Sequence, residues 1–177
     1  MEEIILEDKQ AMIFLNNLGS STFDPFWILV SEKWFWIPLY VIFLYFLYKN
    51  FNKKSLFYIL LFVALGITAS DQIANIFKFG FERLRPCHDP SLEGQLREVK
   101  CGGKFGFYSA HSSNSFFVAT YLTILLGKKI KQLPYFLFVW AAIVAYSRVY
   151  LGMHFPGDLI VGEIMGILLV LFFGTLA

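Results

Sequence analysis

Residues 147–162 read SRVYLGMHFPGDLIVG. One apolar run ends at Ser147-Arg148. The breaker pair Pro156-Gly157 follows, and a second apolar run starts after Asp158. Proline cannot continue a helix, and aspartate favours a helix start. The stretch therefore reads as helix, turn, helix, with Arg148, His154 and Asp158 at the junction. A charged residue at mid-bilayer costs about 2.5–3.5 kcal/mol on insertion scales. Three such groups between two greasy segments call for partners, a function, or both.

The rest of the chain supports a membrane setting. Of 177 residues, 57% are hydrophobic and 19% aromatic, with 21 phenylalanines. That is one domain's length, and too apolar for a soluble domain of this size. The net charge is only +2. The chain has no basic block and no zinc-like cysteine spacing, so no nucleic-acid partner is expected. No obligate protein partner is inferred either. The start, Met-Glu-Glu-Ile-Ile, lacks the basic flank of a cleaved signal peptide.

Five apolar runs are placed at Phe26–Tyr48, Ser55–Phe77, Ser112–Leu126, Leu133–Tyr150 and Leu159–Leu176. A helix needs about 20 residues to cross about 30 Å of hydrocarbon. The expected fold is all-α: a polytopic membrane bundle of about five transmembrane helices plus an N-terminal interfacial helix. Residues 1–22 form that amphipathic interfacial segment, with Ala11, Phe14, Leu15 and Leu18 on its apolar side. Residues 23–177 form the transmembrane domain. Glu32 and Lys33 are expected near the outer end of one continuous first span, where the lysine can snorkel.

Lysines fix the expected sidedness. Lys49, Lys53 and Lys54 fill one turn, and Lys128, Lys129 and Lys131 another, with no acid in either. The positive-inside rule puts both turns in the cytoplasm. Five spans then put the loops 78–111 and 151–158 outside, and the C-terminus inside. All three histidines fall on the outer side, so two distant loops converge at one level of the membrane.

Three segments meet there. In KFGFERLRP, Lys78 and Arg85 are two helical turns apart and share a face if the helix continues to Pro86, with Arg83 pointing elsewhere. YSAHSSNS opens the third span, where unpaired N–H groups attract anions beside Ser109 and His111. In the third segment, an aspartate bonded to one imidazole nitrogen fixes the tautomer and leaves the other nitrogen free. Taken singly, Arg148 is a snorkelling anchor, Asp158 a helix cap and each histidine a structural residue. Taken together, three cations, a helix start, two histidines and a carboxylate suit a dianionic phosphate and an activated nucleophile.

These motifs resemble those of the type 2 phosphatidic acid phosphatase family, which shares a core with vanadium haloperoxidases. Lys78 to Arg85-Pro86 matches the first motif, a lysine, six residues, then Arg-Pro. Tyr108-Ser109-Ala110-His111 keeps the serine and histidine of the second, Pro-Ser-Gly-His. Ser147-Arg148, His154 and Asp158 match the third in full. Tyr108 replaces a rigid proline. Ala110 replaces a glycine, which is harmless at helical φ and strained at positive φ. The likeness covers roughly Asp71 to Ala177.

The resemblance implies a membrane lipid phosphate or pyrophosphate phosphatase at the extracytoplasmic side of the cell (inner) membrane, acting without metal or other cofactor. His154 would be the nucleophile, forming a phosphohistidine, with Asp158 orienting it. His111 would protonate the leaving oxygen and then activate water. Lys78, Arg85, Arg148, Ser109 and the backbone at Ala110 would bind phosphate. Candidate substrates are undecaprenyl pyrophosphate, phosphatidylglycerol phosphate, phosphatidic acid and lipid A phosphate. A lipid phosphotransferase of the same family and a non-enzymatic anion channel or transporter are the alternatives.

Three further features stand outside the motifs. Asp71 and Asn75 lie beneath Lys78 on one helical face, as a supporting polar stripe in which Asp71 is either the ionised partner of Lys78 or Arg148 or a group that serves helix packing alone. Cys87 and Cys101 share the outer loop, where an oxidising exterior permits a disulfide. Gly157, Gly162 and Gly166 allow close helix approach in the last span.

Overall fold

The computed structural model describes residues 2–174, which form α1 (Glu2–Asn17), α2 (Asp24–Ser31), α3 (Ile37–Asn50), α4 (Lys53–Phe81), α5 (Ala110–Leu126), α6 (Leu133–Tyr150) and α7 (Pro156–Gly174). Among the described residues there is no β-strand, only an isolated antiparallel bridge between Leu84 and Phe105. The expected all-α membrane bundle is what the chain forms. By length and composition α4 and α6 can each cross a membrane alone. The 17-residue α5 and 19-residue α7 pack with them. The C-terminus and the end of the predicted fifth span at Leu176 lie outside the described residues.

The helix α5 is central, packed most extensively against α7 and α6. Small residues make this possible. Ser112, Ser113 and Ala119 are fully buried on α5. Across from them, Gly162 leaves no room for a side chain: a Cβ there would lie 2.6 Å from the Ser109 carbonyl oxygen. The helix α4 joins through Ser70 Oγ, which donates to Ser113 Oγ at 2.8 Å. Outward-facing Leu61, Leu65, Phe136, Val139, Ile164 and Leu168 are exposed, an apolar surface suited to lipid rather than water.

The first span is not continuous. Its halves, α2 and α3, meet at 74° across Glu32, which is extended, and a 3-10 turn at Lys33–Trp36. Two charged residues side by side, followed by Pro38 in the first turn of α3, break the run where a smooth helix was expected. Trp36 Nε1 fastens the break by donating to Val30 O at 2.8 Å. By contrast α4 is longer than predicted. Asn52 caps its start by accepting from Ser55 N, and its 29 residues reach about 43 Å at about 1.5 Å per residue.

Both lysine-rich turns lie at one end, where Lys129 Nζ donates to Asn50 O at 3.3 Å. At the other end α1 is pinned to the bundle. Asn16, fully buried, donates to Val149 O and Tyr150 O and accepts from Arg97 N. The face of α1 that packs inward carries Met12 and Asn16, while Phe14 and Leu18 of the expected apolar side are 65% and 63% exposed. The buried carbonyls at the end of α6 need a polar partner, and Asn16 supplies it.

Candidate active site

A cavity of about 680 Å³ runs from apolar walls at Phe43, Leu47, Leu60 and Leu122 to a polar end at Lys78, Arg85, Ala110, His111, Arg148 and His154. Three of its cations thus come from α4, the following loop and α6, and the histidines from α5 and the α6–α7 turn. The convergence expected from span counting is what the fold brings about.

His154 is 2% exposed and Asp158 fully buried. His154 Nδ1 faces Asp158 Oδ2 at 3.4 Å, and its Nε2 faces Arg85 Nη1 at 3.0 Å. A guanidinium only donates. Nε2 is therefore the acceptor, and the ring proton sits on Nδ1 toward the carboxylate. Asp158 Oδ2 also accepts from Phe155 N at 3.1 Å, which fixes the carboxylate in the first turn of α7. Burial, then the positive charges of Arg85, Arg148 and Lys78, hold the His154 imidazole well below its ordinary range.

Arg85 is held by its own loop and by the α6–α7 turn. Its Nε donates to Phe105 O at 3.2 Å and its Nη1 to Met153 O at 3.1 Å. Arg148 Nη1 donates to Ser31 Oγ. Its buried Nε has no partner among the described residues, and Lys78 makes no hydrogen bond or ion pair there. These donors face the same cavity, a set suited to the oxygens of a phosphate. The loop is closed by a disulfide between Cys87 and Cys101, with Cα atoms 5.9 Å apart.

Several residues sit differently from the sequence expectation. Ser109 is fully buried and accepts from Ser112 N as the N-cap of α5; it does not line the cavity. Ala110 is the first helical residue, and Glu82 is the one non-glycine residue with positive φ among those described. The alanine is therefore unstrained. Asp71 lines the cavity but is bonded to Asn114, whose Nδ2 donates to its Oδ1 at 2.9 Å. Neither Lys78 nor Arg148 pairs with it. Asn75 is exposed and does not line the cavity.

Arg83 does not point away from the site, as helical spacing suggested. The helix α4 does not continue to Pro86. It ends at Phe81 because Glu82 adopts φ 47°, and Arg85 is extended. Arg83 Nη1 then donates to Asp158 Oδ1 at 2.8 Å and its Nη2 to Asp8 Oδ2 at 2.6 Å. The signal was Pro86, since a residue before proline disfavours the helical conformation.

An all-helical membrane bundle with a buried histidine–aspartate pair under three cations is a narrow class of protein. The sequence model of the PAP2 superfamily matches residues 58–176, and the chain belongs to that superfamily. It is 38% identical over 163 residues to the lipid A 4'-phosphatase of Bacteroides thetaiotaomicron, covering 90% of this chain and 72% of that protein. It is 34% identical over 174 residues to the lipid A 4'-phosphatase of Porphyromonas gingivalis, covering 95% and 72%. The fold matches the crystal structure of a transmembrane PAP2 type phosphatidylglycerolphosphate phosphatase from Bacillus subtilis, with TM-score 0.75, 22% identity and coverage of 99% and 87%.

Proposed function

We propose that this membrane lipid-phosphate hydrolase works through a phosphohistidine on His154. The observation that carries the reading is the orientation of His154, with Nδ1 toward Asp158 and Nε2 toward Arg85 at the polar end of a largely apolar cavity. Nε2 attacks phosphorus as the bond from phosphorus to the lipid oxygen breaks. His111 gives a proton to that leaving oxygen. Water then attacks the phosphohistidine, His111 takes its proton, and phosphate leaves with Nε2 restored. Asp158 stabilises the positive charge that forms on the ring. Lys78, Arg85 and Arg148 neutralise the transferring group, the part a metal ion plays in other phosphoryl-transfer sites. A covalent route divides a very high barrier into two lower ones.

The apolar half of the cavity takes the acyl chains of the substrate. The lipid A 4'-phosphatases among the relatives favour a glycolipid phosphate of the lipid A kind. The lysine-rich turns at the opposite end support a reaction on the extracytoplasmic side. The test is a panel of lipid A, phosphatidylglycerol phosphate, phosphatidic acid and undecaprenyl pyrophosphate, assayed in detergent with excess chelator. Turnover should persist, a phosphoenzyme should be trapped on acid quench, and His154→Ala should abolish both. Loss of all turnover in chelator with recovery on adding magnesium would overturn the metal-free reaction. Phosphate transferred to a second lipid instead of water would identify a phosphotransferase.

A further inference from the structure

The N-terminal helix reaches the site without lining its cavity. Asp8 on α1 is held by two contacts. Its Oδ1 accepts from Gly157 N at 2.7 Å and its Oδ2 from Arg83 Nη2 at 2.6 Å. Arg83 in turn places Nη1 on Asp158 Oδ1 at 2.8 Å and lies 4.3 Å over the Phe155 ring. The side chains of Asp8 and Arg83 are 13% and 26% exposed, and that of Asp158 is fully buried. Gly157 leaves room for this arrangement, since a Cβ there would meet Asp8 Oδ2 at 2.8 Å.

We propose that Asp8 is a positioning residue for the His154–Asp158 pair, acting through Arg83. The inference rests on the phosphohistidine reading. A free guanidinium beside a carboxylate prefers a two-pronged pairing that engages both oxygens. Asp8 occupies one prong of Arg83. With Nη2 turned to Asp8, Arg83 meets Asp158 through Nη1 alone, on Oδ1. Oδ2 therefore stays with Phe155 N and His154 Nδ1. The same Asp8 ties down the residue before Asp158 and so sets the first turn of α7. Without it, Arg83 closes on both oxygens of Asp158 and draws the carboxylate from the imidazole.

Charge acts in the same direction. His154 is faced by Lys78 from α4, Arg85 from the loop, His111 from α5, Arg148 from α6 and Asp158 from α7. Arg83 adds a further cation next to Asp158, and Asp8 offsets it. Removing Asp8 therefore makes His154 harder to protonate and weaker as a nucleophile.

The test uses the full chain in detergent with a turned-over lipid phosphate. Asp8→Ala and the near-isosteric Asp8→Asn should lower kcat about tenfold with KM held within about twofold, because the loss falls on the chemical step. The acid limb of kcat/KM should move down by about half a pH unit. Arg83→Gln combined with Asp8→Ala should be no worse than the poorer single variant, since both act through one contact. A melting point that drops while kcat per folded enzyme and the acid limb stay at wild-type values overturns the inference, as does strict additivity. A wild type inert on every lipid phosphate overturns the phosphatase chemistry and this inference together. With an active wild type, the same measurements bear on Asp8 alone.

Discussion

Arg85 Nη1 stands 3.0 Å from His154 Nε2, the atom that bonds to phosphorus in the proposed reaction. The two groups hold each other in place before substrate arrives. The lone pair of Nε2 is occupied by a donor that cannot give up its proton, so the ring stays neutral and fixed in orientation. A phosphate entering the site offers Arg85 oxygens that carry charge, which bind a guanidinium more strongly than neutral imidazole does. Arg85 then moves its hydrogen bond from the nucleophile to the group under attack.

Replacing Arg85 with Gln should therefore reduce kcat/KM by about 10²–10³-fold, the scale for removing one donor to a developing anion. The pH profile should change with it. Burial and nearby positive charge hold His154 well below its ordinary range, so the wild-type acid limb should lie below about pH 6.5. Arg85→Gln removes one of those charges and should move the limb upward. Stability follows the same sign. Between the depressed folded value and about pH 6.5 the unfolded chain binds the extra proton, so stability falls as pH drops through that window. A pH–rate series and melting curves on both proteins check this. An unmoved limb would separate Arg85 from His154.

The disulfide between Cys87 and Cys101 should matter more for stability than for chemistry. The cysteines are 14 residues apart, and closing a loop of about 15 residues stabilises by about 3 kcal/mol on chain-entropy grounds. The clipped segment also leans on the site, since a Cβ at Gly102 would lie 3.3 Å from Arg85 Cζ. Cys101→Ser should lower the melting point by several degrees and cut kcat/KM only severalfold. After reduction, a membrane-impermeant thiol reagent should label either cysteine in intact cells. Labelling only after permeabilisation would move the site to the cytoplasmic face.

Long-range order in this protein was legible where one rule governed it. Apolar run length and lysine placement anticipated α6 at its observed bounds and brought both histidine-bearing segments to one end of the bundle. The glycines at 162 and 166 marked the close contact of α7 with α5. What stayed hidden depends on single backbone torsions and on contacts between distant residues. Glu82 in the left-handed region turns Arg83 toward Asp158, and no periodicity announces it. Asn16 reads as an ordinary helix residue until Val149 and Tyr150 present their carbonyls. Ser109 matched its motif by identity, yet its hydroxyl caps α5 and lies off the cavity.

At Asp71 the geometry favours helix packing over the ion pair. As the partner of a cation, Asp71→Asn would leave a buried charge unpaired, at about 3–5 kcal/mol. Instead Asp71 Oδ1 accepts from Asn114 Nδ2, and the buried Oδ1 of Asn114 has no partner among the described residues. An asparagine at 71 can accept the same bond and turn its own amide toward that oxygen, forming a reciprocal pair. Stability should then stay within about 1 kcal/mol of wild type, the worth of one ordinary hydrogen bond. Asp71→Leu removes the acceptor and leaves the Asn114 amide unpaired, which costs about 1–3 kcal/mol. Kinetics should follow charge. Asp71 lines the same cavity as Lys78, so removing its negative charge favours an anionic substrate, and KM for Asp71→Asn should be unchanged or lower. Melting curves and steady-state kinetics on the two variants check both points. A large loss of stability in Asp71→Asn, with KM raised, would restore the buried ion pair and sink the amide-pair account.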